Sequence, residues 1–301
     1  MFDKPMGGTE LMYHELIKRL PKTYLDKFSI FNYPSQADFT KKLIYWNQLS
    51  YDQDAVQFLR EKQNIDRIDN FVFVSNWQSE QFRKLFGIPG HKTKVMQNAQ
   101  SGVNNRDIRV KSKLKICYTS TPWRGLDILL RSWEILQPKN CELHVFSSCK
   151  IYGNEFSTSE DNKYEFLYEW CNRLPNVVYR GSVPNDELRN ELSEFDILAY
   201  PNTFEETSCI AVIEALSAGL RVVTSSLGAL PETTEGFAKL YSYVDDREKH
   251  SQVFASILND EIYNMFNGSL VRHLEQQVSV YKPKWSWDFR IVEWMEFLNT
   301  L

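Results

Sequence analysis

Nine short runs of β-branched and aromatic residues recur along the chain, at residues 27–32, 41–46, 70–75, 93–97, 113–120, 141–148, 176–181, 196–201 and 220–226, and each predicts a strand. Several of them, such as NFVFV and ILAY, are apolar throughout rather than alternating, as expected of strands covered on both faces. Helical patterns separate most of them, and this βαβα rhythm predicts parallel sheets in α/β layers. In the first helical pattern Leu11, Met12, Leu16 and Leu20 fall at helical spacing after Gly8, and Pro21 ends it. The segment around residues 100–112 (within NAQSGVNNRDIRVKSK) is polar, turn-rich and without periodicity, which places a boundary there. The expected organisation is therefore a short domain over 1–107, a second over 108–282 and a closing helix over 283–301. Beyond residue 250, HSQVFASILNDEIYNMF and WSWDFRIVEWMEFL predict two amphipathic helices with Pro283 between them.

Composition narrows the setting. The 301 residues, 43% hydrophobic, suffice for two packed domains. Five cysteines, an odd number without C-x-x-C spacing, suggest neither a disulfide framework nor a zinc site, and a reducing, cytoplasmic setting fits best. The N-terminus lacks a signal-peptide pattern and no apolar run approaches the ~18 residues of a membrane span, so the expectation is a soluble or peripherally attached protein. A net charge of −4 argues against a nucleic-acid partner. Residues 1–107 carry 15 basic against 12 acidic side chains and the remainder 20 against 27, which leaves open contact of the N-terminal half with an anionic lipid surface, although solvated surface charge explains the split as well.

The densest chemistry lies in Phe204–Gly219. A strand, DILAYPN, leads into a predicted helix over Ser208–Ala218 that ends at Gly219. The C-terminal edge of an open α/β sheet is where ligands bind, and the free amides and positive dipole end of a helix suit a diphosphate. Glu206 precedes this helix and Glu214 follows eight positions later, about two turns, so both carboxylates can face one crevice and accept paired bonds from vicinal sugar hydroxyls. The plainer alternative is that Glu206 serves the helix dipole and Glu214 pairs with a basic neighbour. Burying a glutamate among Ala211, Ile213 and Leu216 without a ligand is costly, which favours the functional reading. In a second element, a strand ends in Thr119, Ser120 and Thr121, and a turn then presents Arg124 at a helix start, a phosphate cradle in form.

The segment Phe204–Gly219 resembles the E-x7-E signature of retaining GT-B glycosyltransferases, in particular the family 4 group. The likeness extends to Leu227-Gly228-Ala229-Leu230-Pro231-Glu232, similar to the Gly-x-x-Pro-Glu turn of that group, and to Val178–Pro184, similar to the segment lining its base pocket. The resemblance implies two Rossmann-like domains facing across a cleft, the N-terminal one reduced, and a final helix crossing back to the first domain. It assigns Glu214 to the ribose hydroxyls, Glu206 to the transferred sugar, and Thr207 with the amides of Ser208, Cys209 and Ile210 to sugar and phosphates. The backbone at Ser182 and Val183 would read the base. Ser120, Thr121 and Arg124 match the opening of the donor domain, Arg124 standing at the usual lysine and Thr119 or Ser120 at the usual arginine. Gly7-Gly8 resembles the glycine loop facing the donor phosphates.

Two departures bear on the first domain. MFDKPM is too short and polar for the strand that normally precedes the first glycine turn, so that strand is absent or the start is late. Asn47 and Gln48 stand where members of the family this chain resembles often have a histidine. Ser75 reads as a helix N-cap. His14, His91, His144 and His250 read as structural or solvent-facing, and no Asp-x-Asp motif lies at a strand end, so no metal or other cofactor is expected. The expected activity is metal-independent, retaining transfer of a sugar from a nucleoside-diphosphate donor to a hydroxyl acceptor, glycan, lipid-linked or small molecule, with Glu206 and Arg124 as the catalytic pair. A catalytically silent or partner-dependent nucleotide-sugar-binding protein is the alternative.

Overall fold

The computed structural model describes residues 7–149 and 154–301, with the side chains of residues 154–160 outside that description. The expectation about MFDKPM falls outside the described residues. The first part of the chain comprises α1 (Gly8–Arg19), α2 (Lys22–Lys27), β1 (Phe28–Phe31), β2 (Lys42–Asn47), α3 (Lys62–Arg67), β3 (Asn70–Phe73), α4 (Asn76–Phe86) and β4 (Thr93–Val95). Its strands pair in parallel in the order β1-β2-β3-β4. The second part comprises β5 (Leu114–Thr119), α5 (Leu126–Leu136), β6 (Cys141–Phe146), α6 (Asn154–Arg173), β7 (Val177–Tyr179), α7 (Asn185–Glu191), β8 (Ile197–Tyr200), α8 (Ile210–Ala218), β9 (Arg221–Ser225), α9 (Leu230–Thr234), β10 (Lys239–Tyr241), α10 (Arg247–Phe266), α11 (Val271–Lys284) and α12 (Trp287–Asn299). Here the order is β10-β9-β8-β5-β6-β7, again all parallel.

That order explains where a ligand can enter. From β5 the chain winds one way through β6 and β7, then returns to lay β8, β9 and β10 on the other side. β5 and β8 are neighbours, with Ile116 opposite Ile197, and it is at such a switch in strand order, outside the carboxyl ends of the strands, that open α/β sheets take ligands.

Each of the nine predicted strands is present. The sequence reading lacks several elements, among them the short helices α2, which follows the Pro21 read as a stop, and α9, which holds the Pro231-Glu232 read as part of a turn. β10 is only three residues long, too short for periodicity to register. The larger correction is α11: a third helix occupies the stretch between the two predicted ones, and Pro283 lies in its last turn rather than in a connection. Only Leu274, Gln277 and Tyr281 of α11 are buried, so its apolar signal is faint. Its position is fixed by hydrogen bonds that no periodicity encodes. Gln277 Nε2 donates to the carbonyls of Leu216 (2.7 Å) and Leu220 (3.0 Å), capping the end of α8.

One large core, including Tyr118, Leu129, Trp133, Val145 and Leu198, fills the second sheet's layers. Around the first sheet, one face is closed by Tyr45, Phe71, Phe73 and Phe82. The other face is closed by α1 together with α12, whose Trp294 packs edge-on against Trp46 with centroids 5.2 Å apart. The last helix thus belongs to the core of the first part of the chain. The two crossings between the parts run side by side, with the Gln100 amide donating to the Trp285 carbonyl at 2.8 Å. The first crossing is pinned where buried Arg106 donates to Asp196 at 2.6 Å, a carboxylate that also meets Lys111 Nζ at 2.8 Å.

Candidate functional site

The loops leaving β5 and β8 are locked to each other before either reaches the cleft. Gly125 has φ +112°, and a Cβ there would lie 2.1 Å from the Pro201 carbonyl oxygen, so only glycine allows the approach. Thr203 Oγ1 donates to the Trp123 carbonyl at 3.1 Å. After β8, Asn202 turns the chain by accepting from the Phe204 amide at 3.0 Å, and Ser225 Oγ at the end of β9 holds the Asn202 carbonyl at 2.8 Å. These contacts aim Glu206, 4% exposed, into the crevice.

Glu206 is not alone there. Its Oε1 accepts from Arg124 Nη1 at 2.9 Å and from the Tyr200 hydroxyl at 2.5 Å. Burial and the Glu206 charge hold Tyr200 protonated far above the ordinary phenol range, so it is a permanent donor. Arg124 also lies over the Phe204 ring, 4.5 Å from its centroid. From behind, Gly228 (φ +63°) presses so close that a Cβ would sit 2.6 Å from the Glu206 backbone nitrogen and oxygen, and the Ala229 amide donates to the Glu206 carbonyl at 2.7 Å. The Gly-x-x-Pro-Glu turn therefore backs the loop that carries this carboxylate.

α8 begins at Ile210, two residues later than predicted, with Cys209 as a cap that offers no side-chain bond to the helix amides. Its first turn points its amides at the cleft, an electropositive end. About one turn along, Glu214 is 8% exposed and faces Arg189 of α7, whose Nη1 lies 3.5 Å from Oε1; Arg189 also pairs with Asp186. Burial pushes the Glu214 carboxyl up to about 7, against the opposing pull of Arg189. The plain alternative for Glu214 is thus partly real, since Arg189 is a basic neighbour, while Glu206 is paired with Arg124. Each glutamate also lines the cleft.

The facing wall comes from the first sheet. A Cβ on Gly8 would lie 2.9 Å from Ile210 Cδ1, so the starts of α1 and α8 abut. Thr207 Oγ1 donates to the Gln48 carbonyl at 2.9 Å, and Gln48 and Asn98 exchange two amide bonds of 2.9 Å. Further out, the Tyr51 hydroxyl donates to Glu205 at 2.8 Å. Glu232 accepts from the Asn76 amide at 2.9 Å and its side-chain nitrogen at 2.8 Å, at the start of α4. The cleft between the walls has a volume of about 460 Å³, within the range of small-molecule sites.

Gly8, Ser120, Thr121, Arg124, Ser182, Val183, Glu206, Thr207, Ser208, Cys209, Ile210 and Glu214 all lie along this one cleft. Four buried hydroxyls on its walls, those of Thr121, Ser147, Ser182 and Ser208, have no hydrogen-bond partner among the described residues, an expensive state for a polar atom that no ligand meets. Asn47 does not reach the cleft: it is fully buried and its side chain closes a turn with the backbone of Leu49. Ser75 caps α4 by accepting from the Gln78 amide at 3.1 Å. Of the histidines, His250 is buried against the Tyr241 hydroxyl at 2.7 Å, and burial lowers its pKa to about 4. Sequence reasoning missed Arg189, Tyr200, Ser147 and Asn98. Arg189 carried one usable signal, its i,i+3 spacing from Asp186. The others become neighbours of the site only through sheet order.

Two domains of parallel sheet facing across a cleft, with a last helix returning to the first, are the GT-B architecture, and the fold is GT-B. Residues 114–260 match the family model described as glycosyl transferases group 1, so the resemblance carried by the two-glutamate segment is borne out. An uncharacterized glycosyltransferase of Methanocaldococcus jannaschii is 26% identical over 184 residues, 54% of this chain and 43% of the relative. The lipopolysaccharide 1,2-N-acetylglucosaminetransferase of Salmonella typhimurium is 21% identical over 232 residues, 69% of this chain and 57% of the relative. This chain thus spans about half the length of these curated relatives. Among solved structures, sucrose-phosphate synthase from Thermosynechococcus elongatus superposes with a TM-score of 0.66 at 14% identity, over 97% of this chain and 78% of that one. Anabaena HepE in complex with UDP and glucose gives 0.67 at 14% identity, over 99% and 84%. Among the described residues, no helix is long and apolar enough to cross a membrane.

Proposed function

We propose that the protein is a metal-independent, retaining glycosyltransferase that moves a sugar from a nucleoside-diphosphate sugar to a hydroxyl acceptor. The observation that carries this is the convergence of Glu206, Glu214, Arg124 and the start of α8 on one cleft at the switch point of the second sheet. In this reading Glu214 accepts from the ribose hydroxyls, the backbone at Ser182 and Val183 meets the base, and Glu206 positions the transferred sugar. Ser120, Thr121, Thr207, Arg124 and the amides of Ser208, Cys209 and Ile210 take the diphosphate, with the Gly8 end of α1 opposite. The bond from the anomeric carbon to the diphosphate oxygen breaks, and the acceptor oxygen bonds to that carbon on the same face. The acceptor proton passes to a departing diphosphate oxygen, whose growing charge Arg124 and the helix start stabilise.

Arg124 and Glu206 are ion-paired to each other, which gives the pair a joint role: Glu206 holds the guanidinium at the cleft wall where the leaving group departs. Removing either side strands the other in a buried site. A thermal-shift screen with UDP, GDP, ADP and their sugars identifies the donor, since a bound ligand raises stability by mass action. With that donor and an acceptor panel, Glu206→Gln and Arg124→Ala are expected to lower kcat by about 10²-fold or more. Unchanged turnover in both variants overturns the site assignment. Donor binding without any product assigns the chain instead to nucleotide-sugar binding, silent or completed by a partner.

A further inference from the structure

The half of the cleft built by the first sheet has a distinct chemistry. Its polar side chains are Thr9, Glu10, Tyr33, Gln48, Ser50 and Gln53, together with Asn98, and among the described cleft residues of this half Glu10 is the one that carries a charge. Glu10 is exposed in the first turn of α1, and the Tyr33 hydroxyl donates to its Oε1 at 3.3 Å. Along the whole cleft the one described cation is Arg124, and it faces Glu206. In the reading proposed above, on which this inference rests, that cation is committed to the diphosphate of the donor.

We infer that the acceptor is an uncharged saccharide, held at its hydroxyls by Glu10 and the amides of Gln48 and Gln53, and that Glu10 is the residue that turns away acceptors bearing phosphate. A carboxylate accepts bonds from two neighbouring hydroxyls, and the side-chain amides both donate and accept, which is the mixed pattern a polyol presents. A phosphorylated sugar or a phospholipid headgroup brings a second anion to a wall whose described residues offer a carboxylate and no cation, so rejection works through repulsion as much as through fit. Glu10 at a helix start also favours the α1 dipole, a purely structural role that would leave acceptor choice untouched. The two roles therefore separate by experiment.

The test uses the full chain and its identified donor, with methyl glycosides of glucose, mannose and galactose set against the 1- and 6-phosphates of the same sugars and against phosphatidylinositol vesicles. The wild type is expected to prefer the neutral glycosides by about tenfold or more in kcat/KM. Glu10→Gln narrows that ratio by raising the KM of neutral acceptors and admitting phosphates, and Glu10→Lys narrows it further or reverses it, while nucleotide affinity stays at the wild-type value in both. Preference of the wild type for a phosphorylated or lipid acceptor overturns the inference, as does a ratio that neither variant moves. No product from any of these acceptors, with donor binding and slow donor hydrolysis intact, also overturns it while leaving the donor-site reading in place. Loss of donor binding in the wild type screen would instead sink that reading itself.

Discussion

Glu214 shows how burial sets up a measurable pH response. Its carboxyl, pushed up to about 7 in the folded protein, keeps a proton that an unfolded chain releases near the ordinary glutamate value. Its stabilising contribution is therefore complete in acid and fades as pH rises through the folded value of about 7. Nucleotide binding carries the opposite sign in the proposed reading, because two ribose hydroxyls need an ionised carboxylate. Nucleotide affinity measured by calorimetry is expected to improve between about pH 6 and 8, and Glu214→Gln to flatten that dependence. A wild-type affinity that does not change across this range argues against a ribose contact. At Gly228, the backbone of Glu206 leaves no room for a Cβ. Gly228→Ala is expected to displace the Glu206 loop, with kcat falling by tenfold or more, roughly, while the domain still folds.

Helices here are held by side chains from elsewhere in the chain as much as by their own sequence. α8 is nearly all apolar and gets its stop from Gly219 and from Gln277 of α11, a buried amide with two carbonyl partners. Gln277→Leu is expected to cost about 1–3 kcal/mol in chemical denaturation, since it removes two buried hydrogen bonds to the end of α8. α4 is capped twice, by its own Ser75 and by Glu232 across the cleft. Ser75→Ala should cost about 1 kcal/mol of stability, as for a typical N-cap.

At the scale of the whole molecule, Glu232 matters differently. Its bonds to Asn76 and the contacts of Tyr51 with Glu205 and Thr207 with Gln48 tie the two walls of the cleft together. Glu232→Ala removes the tie at the rim without touching the cleft lining. Small-angle scattering is expected to show a larger radius of gyration, and the donor KM to rise several-fold with thermal stability nearly unchanged. An identical scattering curve and KM would show that closure does not depend on this carboxylate.

What the sequence determined alone follows from local rules. All-apolar runs separated by amphipathic stretches give parallel strands buried on two faces, and nine were legible for that reason. Glycines and caps punctuate helices within a few residues, so Gly219 and Ser75 were legible too. The two glutamates could be read because their spacing is local, one on the loop that leads into α8 and the other about one turn into that helix. What needed tertiary structure is whatever joins distant segments: the order β10-β9-β8-β5-β6-β7, which places Thr121 and Arg124 beside Glu206, and the pairing of Arg189 with Glu214. The same holds for α11, whose polar surface hides it from periodicity and whose place is decided by Gln277 meeting carbonyls more than fifty residues away. Periodicity reports which face of an element is buried; it carries no information about which partner buries it, and the chemistry of this cleft is made by partners.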